Sequence, residues 1–163
     1  MKASKIVRFV NLLLAGTLTG NEFGTLAPVH PALEELSPPE RIRAEQEVTR
    51  RFGTIMPFWM GSTVVSCVLA MLSSRGSAGF GRTLLGTVCF LSMLTSTRLG
   101  NVPINDRVID MDPEKDQEEF TRLRRRWDRR HALRVALNVT GMAFFVSGAL
   151  SEDDVPEGDP ASV

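Results

Sequence analysis

Trp127, His131, Arg134 and Asn138 recur at spacings of four, three and four. On a helix these spacings put an indole, an imidazole, a guanidinium and a carboxamide on one narrow face. The stretch Val135 to Ser151 that follows is seventeen residues without a charge, so the stripe runs into an apolar helix. Imidazole titrates near neutrality and suits acid or base work. A guanidinium can stabilise a developing phenolate or enolate oxygen. The indole can stack on an aromatic ligand or anchor a helix at a bilayer edge. The plain alternatives are a snorkelling histidine and a basic helix end. Ionisable groups at such depth are costly, which favours function for the stripe.

Four segments must position this face. Pro57–Ser74, Thr83–Thr97 and Val135–Ser151 carry no charge, and near the N-terminus Phe9–Asn21 and Phe23–Leu33 are interrupted by Glu22. A bilayer-crossing helix needs about 20 residues, with tolerance to about 17. The expected fold is all-α, a four-helix transmembrane bundle with an extra amphipathic helix (Arg41 to Phe52) in the first long loop. Expected helix bounds are about 4–27, 55–74, 80–100 and 114–150, followed by an acidic disordered tail at 152–163. A soluble bundle with fully buried helices is the competing reading, and a small domain buries such helices poorly. Segment one also resembles a cleaved signal peptide through Lys2, Lys5 and Arg8. Against cleavage, Gly16, Gly20 and Gly24 recur every four residues and suit close packing in lipid, either in the bundle or in a homo-oligomer.

Local signals set the connections. Ser37-Pro38-Pro39-Glu40 starts a helix, and Asp112-Pro113 with its acidic followers starts another. Arg75 to Arg82 is a short glycine-containing loop that makes its flanking segments antiparallel. Val102 to Asp106 reads as extended or turning, because Pro103 biases its predecessor away from helix. Of the nineteen Lys and Arg residues, fourteen fall in the other two connections. The positive-inside rule places those in the cytoplasm, although the basic N-terminus pulls the other way. Equal numbers of acidic and basic residues, with the basic cluster beside a membrane segment, argue against nucleic-acid binding.

In this topology Asn21, Glu22, His30, Arg98, Asn101, Asn105, Trp127, His131 and Arg134 gather at one membrane face, which predicts a single polar pocket. Glu22 needs a partner, and Arg98 or Arg134 is expected to supply it, as a structural salt bridge or as part of catalysis. Asn101 and Asn105 can cap or turn the chain, or hold a ligand oxygen. Most of Arg122–Arg130 reads as a solvated or headgroup-binding face. Haem ligation by His30 and His131 is disfavoured because His30 sits between Pro28 and Pro31. Metal binding lacks a recognisable spacing. Cys67 and Cys89 lie at similar depths, but without CxxC they read as small apolar residues.

The Asn-Val-Pro-Ile-Asn turn after segment three and Trp127-Asp-Arg-Arg-His131-Ala-Leu-Arg134 entering segment four resemble the anthrone oxygenase-like integral membrane family. Gly16-Thr-Leu-Thr-Gly20 and Pro31-Ala-Leu33 are similar too, so the likeness spans most of residues 5–150. The resemblance implies oxidation of a polycyclic, polyketide-type anthrone with dioxygen as co-substrate and without an established bound flavin or metal. It implies His131 as the base, with Arg134, Asn101, Asn105 and Asn138 around an enolate oxygen. Trp127 would pack on the ring, and Glu22 and Arg98 would complete the binding wall. The implied location is the bacterial plasma membrane, with the pocket facing the cytoplasm. Two other classes stay open. One is a non-catalytic module binding a lipid, quinone or partner helix; the other is an epoxide-opening or cyclising enzyme that consumes no oxygen.

Overall fold

The computed structural model describes residues 3–153, and among these there is no strand. The helices are α1 (Ala3–Gly24), α2 (His30–Glu34), α3 (Pro38–Ser73), α4 (Phe80–Ser96), α5 (Val102–Ile109) and α6 (Gln117–Asp153). The four long helices pack in a ring, α1 and α4 each lying against both α3 and α6, with a smaller contact between α3 and α6. Two of them, α3 and α6, contain stretches long and apolar enough to cross a membrane. Residues 154–163, most of the expected acidic tail, lie outside the described residues.

Three expectations are corrected. The amphipathic segment and segment two form one helix, α3, running through Gly53 and Pro57. Proline removes one hydrogen bond, and the tertiary contacts on either side hold the helix together. The Val102–Asp106 stretch is helical and opens α5, because Pro103 occupies its first turn, where no N–H is required. The last helix begins at Gln117, beyond Asp112. Asp112 instead closes a turn: its carboxylate accepts the Glu114 N–H at 2.9 Å and pairs with Lys115. These contacts hold it below the usual carboxylate range. The Ser37 start of α3 is as expected, with the Ser37 N–H donated to Glu40 at 3.3 Å.

The two halves share a plan: a long helix, a widened turn, a short helix, then a longer one. The turns Thr25–Val29 and Thr97–Asn101 are π-type. The His30 N–H reaches back five residues to the Thr25 carbonyl, and the Val102 N–H reaches back to Thr97. Pro28 and Pro103 lack the N–H that Gly24 and Leu99 would use in a regular helix, which accounts for the widening.

Two apolar clusters form. One, in the ring, joins Ala15, Leu18, Met60, Cys67, Phe90, Met93 and Phe145. The other joins Ile42, Ile104, Val108, Met111, Phe120 and Trp127, where α5 is clamped between α3 and α6. Gln46 secures that clamp by donating to the Val108 and Met111 carbonyls at 3.0 and 2.9 Å.

Within the chain, the closest helix packing is at glycines outside the Gly16, Gly20 and Gly24 series. A Cβ on Gly16 would lie 3.4 Å from Met142, while Gly20 and Gly24 face open space. The tight contact is between α4 and α6, where a Cβ on Gly86 would lie 2.9 Å from Phe145 and 3.0 Å from the Gly141 carbonyl. Gly86→Ala is therefore expected to destabilise the protein by about 1–3 kcal/mol through overpacking. Reversible unfolding in mixed detergent micelles checks this.

Candidate functional site

Between the two apolar clusters lies a polar layer, placed where α1 and α4 widen into their π turns. Glu22 comes from the last turn of α1, His30 from the start of α2 and Glu45 from α3. Arg124, Trp127, Asp128, His131 and Arg134 come from one face of α6. The layer borders a partly open cavity of about 190 Å³. Its walls include Thr25 and His30 from the first turn region, and Thr97, Arg98 and Val102 from the second. On the α3 side, Gly53, Met56, Pro57, Met60 and Gly61 make an apolar wall.

Glu22 and His131 are each 1 % exposed. Arg134 pairs with Glu22 through Nη2 and Oε2, so of the two expected partners the buried one is used. Arg98 is exposed and stands on the cavity wall. The Arg134 Nη2 also lies 2.9 Å from His131 Nδ1. On the other side of the ring, Nε2 lies 3.2 Å from the backbone carbonyl of Glu22. A carbonyl only accepts and a guanidinium only donates. These two contacts assign the Nε2–H tautomer to His131, with its Nδ1 accepting from Arg134 and also standing 3.3 Å from Glu22 Oε2. One oxygen of this cluster is left over: among the described residues, Glu22 Oε1 has no hydrogen-bond partner, and neither has Arg134 Nε.

Trp127 is fixed rather than free. Its Nε1–H donates to Asn105 Oδ1 at 2.7 Å. Its ring stacks with His131 and His30 at centroid distances of 4.6 and 4.9 Å. The Arg124 Cζ sits 4.0 Å from the indole centroid. Arg124 in turn pairs with Glu45 at 2.9 Å, both side chains buried, and stands 3.3 Å from Asp128. His30 Nδ1 is also 3.3 Å from Asp128. Burial requires such charges to be paired; here they form a second ion-paired group that backs the indole.

Of the residues expected at the site, Glu22, Arg98, Asn105, Trp127, His131 and Arg134 all line the cavity. Asn101 and Asn138 are fully buried and lie outside its lining. Asn101 donates to the Trp127 carbonyl at 3.4 Å, and neither polar atom of Asn138 has a partner among the described residues. Sequence reasoning missed Glu45, Arg124 and Asp128. Arg124 had a usable signal, since it stands three residues before Trp127 and extends the same helical stripe. Among the described residues, no group of three or more His, Cys, Asp or Glu side chains is placed to hold a metal ion. Cys67 and Cys89 are free thiols.

An all-helical bundle with a cavity walled by buried ion-paired residues defines the class: a small helical protein with a charged site enclosed in an apolar frame. Residues 48–144 match the family model for anthrone oxygenase, which is more than half of the chain. The chain belongs to the anthrone oxygenase family. No curated protein and no solved structure matches it. The family match covers Arg98, Trp127, His131 and Arg134, and it begins after Glu22 and His30.

Proposed function

We propose that this protein is a membrane-embedded oxygenase-like enzyme that oxidises a small polycyclic aromatic substrate of polyketide type, with dioxygen as co-substrate and no bound cofactor. The observation that carries the reading is the Glu22–His131–Arg134 cluster, buried beside a cavity in a protein of the anthrone oxygenase family. Embedding all four long helices in a bilayer is supported by their outward residues. Phe9, Leu13, Phe58, Val65, Leu69, Leu85, Val88, Val139 and Leu150 are exposed. Asn11, Glu22, Thr63, Thr87 and Asn138 are buried. Apolar outside and polar inside is the pattern lipid favours. The basic connections lie at the cavity end, which supports a cytoplasmic opening.

The chemistry needs a proton acceptor and a cation. Removing a proton from the activated methylene leaves an electron pair shared with the ring ketone oxygen, where Arg134 is suited to stabilise it. Dioxygen takes up the electrons in single steps. In the balance one oxygen atom becomes the new carbonyl, and the other leaves as water with the two methylene hydrogens. Arg98 at the wall and Asn105 behind Trp127 shape the binding surface. Oxygen uptake by the purified protein, dependent on an added anthrone, tests the reading; conversion of substrate without oxygen uptake would favour the epoxide-opening or cyclising class.

The α3 wall gives a further expectation. A Cβ on Gly61 would meet nothing within 4 Å, and the residue borders the cavity. Gly61→Leu is expected to raise KM at least about tenfold by filling substrate space, a side chain of that size being worth roughly 1.5–3 kcal/mol in contacts. The thermal midpoint should stay within a few degrees. KM from initial-rate oxygen uptake and a melting curve check both parts.

A further inference from the structure

We propose that Glu22 is the group that takes the substrate proton, and that His131 is a positioning residue; this rests on the oxygenase reading above. The imidazole is poorly placed to serve as base. Its Nε2–H is donated to the Glu22 carbonyl, and its Nδ1 lone pair accepts from Arg134. Both ends of the ring are used in holding the pair together. Glu22 differs: Oε2 is held by Arg134, while Oε1 has no donor among the described residues, in a side chain 1 % exposed that lines the cavity. Buried carboxylate oxygens are normally hydrogen-bonded; Glu45 Oε1, the other such oxygen on the cavity wall, has a cation 3.6 Å away at Arg41 Nε. A carboxylate is a competent base for a carbon acid beside a carbonyl.

In the step, the substrate C–H bond breaks and an O–H bond forms at Glu22 Oε1. The electron pair passes to the ketone oxygen as an enolate. The Arg134 Nε–H, also without a partner among the described residues, is available to that oxygen. The base and its counter-cation are thus one ion pair, and His131 sets the distance between them. Glu22 lies before the segment that matches the family model, so the assignment stands on the packing of α1 against α6.

The test uses the full-length protein in phospholipid nanodiscs with an anthrone as probe. Glu22→Gln is expected to lower kcat at least about 100-fold, the scale of general base catalysis. His131→Gln keeps one amide donor for the carbonyl and one acceptor for Arg134. It should lose no more than about tenfold in kcat and keep the acidic limb of the pH–rate profile. Glu22→Ala should be inactive, with activity partly restored by added formate, which supplies a carboxylate even if the glutamine variant folds poorly. Equal loss in His131→Gln with disappearance of the acidic limb would overturn the assignment. So would a Glu22→Gln enzyme within tenfold of the wild type, or formate failing to restore Glu22→Ala. A wild type that consumes no oxygen with an anthrone fails differently: it removes the oxygenase reading, and the assignment with it.

Discussion

Arg134→Met is expected to destabilise the protein by about 3–5 kcal/mol, the cost of stranding a buried charge, and to abolish oxygen uptake. Arg134 is 7 % exposed and is the only guanidinium paired with the Glu22 carboxylate among the described residues. Its removal leaves that carboxylate with neither oxygen satisfied by a cation, and takes the donor from His131 Nδ1. Removing both charges together is a different case, since a buried pair replaced by neutral groups is often close to neutral in stability. The Glu22→Gln/Arg134→Met double variant should therefore recover most of the lost stability while remaining inactive. Unfolding in mixed micelles separates the two effects. A single variant as stable as the wild type would mean that water reaches Glu22 and that the cluster is not buried in use.

Trp127→Ala is expected to cost about 3–5 kcal/mol, as for large aromatic residues cut back to alanine, and to lower activity by at least about tenfold. The indole joins the lower apolar cluster to the polar layer. It packs with Ile42, Ile104 and Phe120 on one side and carries His30, His131 and Arg124 on its ring. Without it both imidazoles lose their stacking surface, and His131 no longer holds the Glu22–Arg134 geometry. Trp127→Phe retains much of the ring but loses the bond to Asn105. It should lie between alanine and wild type in both stability and rate. A Trp127→Ala protein of wild-type stability would show that the layer is held by its ion pairs alone.

Helical period alone makes the stripe legible in the sequence. Trp127, His131 and Arg134 do face one way, because α6 continues unbroken from its charged half into its apolar half. The gathering of Glu22, His30 and Arg98 at the same end follows from counting alternating segments, and all three border the cavity. Local reading fails where tertiary contacts outweigh propensity. A break is expected between Phe52 and residue 55, yet α3 runs through it, anchored by Ile42 and Gln46 on one side and by Met60 and Cys67 on the other. Pro103 suggests an extended piece, yet it starts a helix. The partners Glu45 and Arg124 sit 79 residues apart and meet only through folding (45 and 124 in the chain). Arg124 is hidden among neighbours such as Arg122, Arg125, Arg126 and Arg129, which are exposed. The tautomer of His131 is beyond any sequence pattern, since it depends on a backbone carbonyl of another helix.

Everything proposed for the site depends on the buried cluster and cavity turning an anthrone into a quinone at the expense of dioxygen. The oxygen balance of the wild-type protein in nanodiscs tests this, measured with an oxygen electrode while the quinone is followed by its visible absorbance. Protein-dependent uptake of one dioxygen for each quinone formed is expected, with no hydrogen peroxide released. Quinone formation no faster than in protein-free nanodiscs, or formation without matching oxygen uptake, would refute the reaction proposed for this cavity.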